Sequence, residues 1–417
     1  MQKVHSVLRL LPVLLLFASP AGFAQDMVKL TLLDNGSNVA GYYCPQKLVL
    51  SATKPTQLRV APPLRSPRFG VLVGANAGTG ARSYIVVLDE PANGTPMLYV
   101  DSNGDGDLTN DQAGMWNLAN YGTGLSEGYG SGWVDIGPTG ATARVRIGMY
   151  RFDPKYTDRA AYASTLFYYA DYARTGTIKI GSDSYQVLLY DELTALDFRG
   201  NGVALLIDLN HDGVYTTARE KILAAQAFNI GGATREVRGL SAIGDSLQLA
   251  PSTQTVAAMV PPPDLRVGRP ALGFTAPDID GVAVTFPKDF AGKIVMLDFW
   301  ATWCGPCMSE VPGLAALYAK YKGKGFEVLG ISLDQAGSEK PGSDMRGVMK
   351  DKGMLWRQIC DGKEWDAALA QLYLVDSIPH AFLVDGDTGT IIANGDVLRG
   401  TSLATTVETA LRKKGKT

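Results

Sequence analysis

The strongest constraint on the fold is the run KIVMLDFWATWCGPC, residues 293–307, in which an apolar stretch leads into two cysteines three positions apart. The apolar stretch predicts a buried strand, and the residues from Cys307 onward have the spacing of a helix. A strand that leads directly into a helix is typical of α/β folds. We therefore expect Cys304 and Cys307 at the N-terminus of a helix.

A dithiol at this position has several interpretations. Helix N-termini offer unpaired N–H groups and a positive partial charge, so we expect Cys304 to be the more readily ionised thiol. Cys307, one turn later and more enclosed, would be the resolving thiol. A zinc site would require further ligands, but Cys44 and Cys360 are isolated and distant in the sequence. A purely structural disulfide across so short a loop would restrict little chain entropy. The pattern favours a redox-active pair that needs no cofactor.

A Pro-rich segment, residues 251–266, separates two sequence patterns. Residues 25–250 contain short alternating apolar runs, such as the strand–turn–strand pattern at 176–192, and predict an antiparallel β-rich domain. In residues 267–417, strands alternate with helices at 307–325 and 363–375, followed by a hairpin at 380–394 and a closing helix at 402–415. This order predicts an α/β domain.

The N-terminal residues 1–24 combine Lys3 and Arg9 with an apolar run and small residues, which is the pattern of a secretory signal peptide. No later stretch is long and apolar enough to cross a bilayer. The formal net charge of −2 offers no basic excess, so no nucleic-acid partner is expected. We expect an exported protein, periplasmic or secreted, that does not span the membrane once the signal is removed.

The longer run VGRPALGFTAPDIDGVAVTFPKDFAGKIVMLDFWATWCGPCMSEVPGL, together with SIPH at 377–380, resembles the TlpA/ResA-like branch of the thioredoxin superfamily. The resemblance covers residues 267 to about 415 and implies an α/β thioredoxin-like domain of an exported thiol–disulfide oxidoreductase. It implies protein disulfides or dithiols as substrates and a membrane thiol-transfer protein as electron donor. The matching positions are the nucleophile Cys304, the resolving Cys307, the flanking Trp303, the helix proline Pro312 and a cis-proline at Pro379.

Asp298, six residues before Cys304, falls within the buried strand. Burial raises the pKa of a carboxyl, which suits acceptance of the proton from Cys307; the alternative is a hydrogen-bonded carboxylate without a catalytic role. Asp298 is similar to the buried acid of thioredoxin itself, whereas the TlpA/ResA-like branch commonly has an amide there. This departure favours a redox potential near that of thioredoxin.

Other positions have more than one interpretation. Glu310 is either solvated or a redox-tuning group, and His380 either contacts substrate or caps a strand. Cys44 and Cys360 could pair, or each could be a buried small apolar residue. A peroxiredoxin-type peroxidase is the nearest rival enzyme, but its lone cysteine in a Pro/Thr-rich loop is not present.

Two acidic loops in the predicted β-rich domain, DSNGDGDLTNDQ from Asp101 and DLNHDGVYTTARE from Asp208, resemble the first half of a calcium-binding loop. A glutamate closing position twelve is missing from both, and Glu220 stands one place late. Asx-rich turns without an ion are the alternative. A second class of function is therefore a calcium-stabilised binding or adhesion protein with an inactive thioredoxin-like domain. The candidate calcium ligands are Asp101, Asn103, Asp105, Asp107, Asp208, Asn210 and Asp212.

Overall fold

The structure is a computed structural model that describes residues 26–74, 82–120, 126–138, 142–155, 157–335 and 345–416. The signal peptide predicted for residues 1–24 lies outside these ranges. The chain divides into two compact units between Val260 and Pro261, a point inside the predicted linker. In the described ranges, no helix has both the length and the apolar character needed to span a membrane.

The first unit is strand-rich. Its strands are β1 Asp26–Lys29, β2 Thr31–Asp34, β3 Gln46–Val49, β4 Pro67–Val73, β5 Ser83–Asp89, β6 Met97–Val100, β7 Gly114–Met115, β8 Asn117–Asn120, β9 Ser126–Ile136, β10 Ala143–Phe152, β11 Thr165–Ala170, β12 Tyr172–Ile180, β13 Asp183–Asp191, β14 Val203–Ile207, β15 Lys221–Leu223, β16 Phe228–Ile230, β17 Ala233–Leu240 and β18 Ser246–Pro251. Helical structure is limited here to α1 Gly36–Ala40, α2 Thr217–Glu220 and a 3-10 turn at Thr157–Tyr162 among the described residues.

These strands form sheets with the orders β1-β18-β17-β16, β3-β11-β10-β9-β8, β4-β5-β6-β7 and β15-β14-β13-β12-β2. The pairings between them are antiparallel, as the short alternating runs predict. The predicted strand–turn–strand at 176–192 is the β12–β13 hairpin, and Gly181 occupies its turn with φ 64°. A positive φ costs glycine little, which explains the residue type at this position.

The second unit begins with a hairpin and continues as an α/β sheet. Its elements are β19 Phe274–Pro277, β20 Ala283–Phe286, β21 Ile294–Trp300, α3 Gly305–Tyr321, β22 Phe326–Ser332, α4 Met345–Lys352, β23 Arg357–Ile359, α5 Ala368–Leu372, β24 His380–Asp385, β25 Ile391–Asn394 and α6 Gly400–Lys413, with 3-10 turns at Lys288–Phe290, Lys322–Lys324, Glu364–Asp366 and Gly395–Leu398. The sheet has the order β23-β22-β21-β24-β25.

Strand β21 lies at the centre of this sheet, parallel to β22 and antiparallel to β24. Every residue of β21 is buried, which agrees with its continuous apolar run. The predicted strand, helix, strand, hairpin and closing helix are all present. The helix predicted for 363–375 is shorter than expected, because Ala367 is extended (ψ 130°) and Leu374 has φ 54°. The β19–β20 hairpin, α4 and β23 were not predicted.

Candidate active site

The dithiol lies at the start of α3. Cys304 and Cys307 are joined by a disulfide with their Cα atoms 5.3 Å apart. Cys304 is the N-cap residue of the helix, and its Sγ accepts a hydrogen bond from the backbone N–H of Cys307 at 3.2 Å. The exposed fractions of Cys304 and Cys307 are similar, 5% and 4%. Exposure therefore does not distinguish the two sulfurs, and the N-cap position of Cys304 does.

The turn before Cys304 is held by the end of the neighbouring strand. The Asp334 carboxylate, just beyond β22, accepts hydrogen bonds from the backbone N–H and the hydroxyl of Thr302 at 3.1 and 2.6 Å. The Ser332 hydroxyl donates to the other Asp334 oxygen at 2.6 Å. Sequence analysis missed Asp334. The available signal was an acid at the carboxyl end of a strand that is parallel to the strand bearing the dithiol.

Asp298 is buried at the centre of the sheet. It lies opposite Gly330 on β22 and Ala381 on β24. Burial raises the pKa of Asp298, the positive charge of Arg399 lowers it and the carboxylate of Glu310 raises it, and together they bring this pKa to about 7. A carboxyl that titrates near neutral pH can both accept and release a proton under ordinary conditions. The burial and the raised pKa expected from the sequence are both found.

Arg399 is the charged partner of this acid, and sequence analysis did not identify it. It is the N-cap residue of α6, and its Nη1 lies 2.8 Å from Glu310 Oε2 and 4.0 Å from Asp298 Oδ1. Glu310 is therefore neither simply solvated nor isolated, since it forms an ion pair beside the buried acid.

A cavity of about 530 Å³ connects these groups. Asp298, Cys307, Glu310, Pro379 and Arg399 all lie along its wall, so the buried acid and the second thiol of the pair face the same space. The Ile378–Pro379 peptide bond is cis, as the resemblance implies.

His380, the residue after the cis-proline, begins β24. Burial lowers the pKa of His380, and the nearby Arg399 charge lowers it further. Its ring centroid lies 4.9 Å from that of Phe382. These contacts fit a packed residue at a strand start.

An aromatic rim flanks the dithiol. Trp303, immediately before Cys304, is 46% exposed, and its ring centroid is 5.8 Å from that of Trp365. The Trp303 Nε1–H donates to the Leu333 carbonyl at 3.3 Å, which orients the indole. Trp303 therefore presents an exposed apolar surface directly before Cys304.

The two acidic loops in the first unit have the same hydrogen-bond pattern. Asp101 follows β6 and its carboxylate accepts from the N–H groups of Asp105 and Gly106 at 3.1 and 2.9 Å. Asp208 follows β14 and accepts from Asp212 and Gly213 at 3.0 Å in both cases. The acid near the end of each loop also has the same partner in both loops, the backbone N–H of the residue after the first Asp. Asp111 accepts from Ser102, and Glu220 accepts from Leu209.

Most of the hydrogen bonds that these carboxylates accept thus come from backbone N–H groups of the same loop. In the part of the chain that the structure describes, no group of three or more His, Cys, Asp or Glu side chains is placed to hold a metal ion. The calcium assignment for Asp101, Asn103, Asp105, Asp107, Asp208, Asn210 and Asp212 stays a prediction.

The two remaining cysteines are free thiols. Cys44 donates to Glu192 Oε1 at 3.4 Å, and burial raises the pKa of this thiol. Cys360 donates to the Asp334 carbonyl at 3.8 Å. Each of these thiols thus has a hydrogen-bond acceptor within its own unit.

Comparison with known proteins finds a family match within the second unit. Residues 267–393 match the AhpC/TSA family. The thiol–disulfide oxidoreductases ResA of Bacillus thuringiensis and Bacillus cereus are each 33% identical over 124 residues, which is 30% of this chain and 66% of the relative. The chain thus spans just under two thirds of the length of these curated relatives. The thioredoxin domain of a thiol–disulfide oxidoreductase from Bacteroides vulgatus is 32% identical over 36% of this chain and 99% of that one, with a TM-score of 0.31.

Residues 267–393 are a thioredoxin-like domain of the AhpC/TSA family. The curated relatives reported above, which this domain matches, are named thiol–disulfide oxidoreductase ResA. The resemblance identified from the dithiol run is therefore confirmed for the last third of the chain.

Proposed function

We propose that this protein is an exported thiol–disulfide oxidoreductase that reduces disulfide bonds of periplasmic proteins. The observation that carries the proposal is the disulfide at the N-cap of α3, whose second cysteine, Cys307, shares a cavity with Asp298 and cis-Pro379. We further propose two domains, the β-rich residues 25–250 and the thioredoxin-like residues 267–417, joined by the linker 251–266.

The reaction begins with the reduced dithiol. The Cys304 thiolate attacks one sulfur of the substrate disulfide, so that one substrate thiolate leaves and a mixed disulfide forms. Cys307 then gives its proton to Asp298 and attacks Cys304 Sγ, which releases the second substrate thiolate. Two electrons pass from the dithiol to the substrate, and the product is the Cys304–Cys307 disulfide present in this structure.

The remaining groups position the substrate. Pro379 lines the same cavity as Cys307 and offers its backbone to a bound substrate chain, and Trp303 offers an apolar surface next to Cys304. A second dithiol must reduce the disulfide before the next turnover, and the resemblance to exported oxidoreductases favours a membrane thiol-transfer protein as this donor.

The test is reduction of insulin by the full mature chain with a chemical dithiol as donor. Cys304→Ser should abolish the reaction. Cys307→Ser should instead accumulate a mixed disulfide, visible by mass spectrometry. Cys360→Ser, which alters a free thiol of the same unit, is the matched control and should retain the wild-type rate. Insulin reduction by Cys304→Ser would overturn the assignment.

The alternative, a calcium-stabilised binding protein with an inactive thioredoxin-like domain, is not favoured, because Asp298, Cys304, Cys307 and Pro379 are all present. The other alternative, a peroxiredoxin-type peroxidase, can be tested with the same protein preparation. A rate with hydrogen peroxide that exceeds the rate with insulin would favour it.

A further inference from the structure

Two carboxylates and one guanidinium meet beside the dithiol. Arg399 Nη1 lies 2.8 Å from Glu310 Oε2 and 4.0 Å from Asp298 Oδ1. The side chains of Arg399 and Asp298 are 17% and 8% exposed, so water screens their interaction weakly. Arg399 Nη2 is also buried and has no hydrogen-bond partner among the described residues. The guanidinium therefore acts on Asp298 mainly through its charge.

The position of this charge is fixed from outside the active-site helix. As the N-cap residue of α6, Arg399 donates its backbone N–H to the Asp396 carbonyl at 3.1 Å, and its own carbonyl accepts from Ser402 at 3.2 Å. Its side chain is held by Glu310, three residues after Cys307 on α3. Backbone and side chain are thus anchored on different elements, and the distance to Asp298 follows from the fold.

We propose that Arg399 is a positioning residue for the proton transfer from Cys307 to Asp298, and that Glu310 is the counter-charge that limits its effect. The inference rests on the proposed function, since it concerns the resolving step. With Arg399 present, the three groups become neutral when Asp298 takes the proton. Without it, two carboxylates would share the cavity, and Asp298 would hold its proton too firmly to act as a base at neutral pH.

Two other titratable groups, Cys307 and Lys320 of α3, line the same cavity as Asp298. On β24, His380 pairs with Phe299, the neighbour of Asp298, so its side chain lies on the opposite face of the sheet. The Lys320 side chain is 63% exposed and paired with Glu408 at 3.2 Å, which keeps its charge near solvent. Burial lowers the pKa of His380, so His380 is neutral at neutral pH. The charges that act on Asp298 from close range are those of Arg399 and Glu310.

The test is carbon NMR titration of the Asp298 carboxyl in the oxidised full chain, with Asp298→Asn used for assignment. Arg399→Gln should raise the titration midpoint by about one pH unit. Glu310→Gln should lower the midpoint, and Arg399→Lys should restore it towards wild type. Lys320→Gln, which removes a positive charge from the outer end of the same cavity, is the control and should leave the midpoint nearly unchanged.

The second readout is the pH dependence of insulin reduction. Its lower limb should move with the NMR midpoint, upwards in Arg399→Gln and downwards in Glu310→Gln. The inference would be overturned if the titration midpoint did not move, or if it moved in the same direction in both variants. Damage to packing alone would not shift the midpoint upwards in one variant and downwards in the other. Glu310→Gln alone keeps the test decisive if Arg399→Gln fails to fold. If the two variants shift the midpoint in opposite directions but the wild type does not reduce insulin, the proposed function is overturned and the charge arrangement around Asp298 is upheld.

Discussion

The Asp334 carboxylate receives both the backbone N–H and the hydroxyl of Thr302, at 3.1 and 2.6 Å. This pair connects the carboxyl end of β22 to the turn that carries Trp303 and Cys304. The two residues are 32 positions apart, so the geometry of the reactive sulfur depends on a distant part of the chain.

Asp334→Ala should destabilise the thioredoxin-like unit by about 2 kcal/mol, because buried donors on Thr302 and Ser332 lose their acceptor. The insulin-reduction rate should fall as well, since the turn before Cys304 is no longer held. Chemical denaturation followed by tryptophan fluorescence measures the first effect. Asp351→Ala, at an exposed position on α4, is the control and should change stability by less than about 0.5 kcal/mol. Equal stability of the two variants would contradict the role given to Asp334.

The raised pKa of Asp298 makes stability depend on pH. Burial raises this pKa from 3.8 to about 7 in the folded protein, so the folded state binds the proton more tightly than the unfolded state. This contribution to stability is fully present below about pH 4 and is lost as the pH rises through about 7, by at most about 4 kcal/mol.

Asp298→Asn should therefore remove a decline in stability between pH 5 and pH 8. Calorimetric melts of the oxidised chain at these two values should show a smaller difference for the variant than for the wild type, in the transition of the second unit. Asp351→Asn should keep the wild-type difference. An identical pH dependence in wild type and Asp298→Asn would show that the carboxyl titrates normally.

The redox potential of the dithiol should lie nearer the thioredoxin value of about −270 mV than the value of about −120 mV for the oxidant DsbA. The reasons are the Gly-Pro pair between the cysteines and the buried acid at position 298. Equilibration with glutathione buffers, with the cysteines then alkylated and counted, measures it. A value above about −180 mV would reassign the protein as an oxidase or isomerase.

Calcium, if bound by the loops at Asp101 and Asp208, should bind with a Kd on the order of 0.1 to 1 mM, because each loop lacks the closing glutamate at position twelve. Calcium at ten times the Kd would stabilise the first unit by about 1.4 kcal/mol per site. A calorimetric melt with calcium and with chelator should show this shift. Asp105→Asn with Asp212→Asn should abolish it, since the amides keep an acceptor oxygen and lose the charge. An unchanged transition and no heat on titration would identify ion-free turns.

The local sequence pattern was sufficient to predict the central strand and helices of the second unit. The apolar run of β21, the helix after Cys307 and the hairpin from His380 each carry their signal within a few residues, because burial on a central strand or one helix face imposes a period. The shortened α5 was not predictable in this way, since its limits follow from backbone angles at Ala367 and Leu374.

The candidate site was predictable only in part. Cys304, Cys307 and Asp298 lie within one strand–helix run, so their proximity follows from local structure. Arg399 pairs with Glu310 from 89 positions away, and only the packing of α6 against α3 brings them together. Nothing in the residues around Arg399 distinguishes it from an ordinary exposed arginine.

The wall that α3 contributes to the cavity contains Ser309, Gly313 and Ala316, all small. A Cβ added at Gly313 would meet no atom within 4 Å, so sterics do not require a glycine inside this helix. Glycine there lowers helix stability by about 1 kcal/mol relative to alanine. All three positions are exposed, so Gly313→Ala would strengthen the helix from its solvent side. The helix that carries the dithiol therefore retains a stabilising change whose side chain lies away from the buried carboxyl of Asp298.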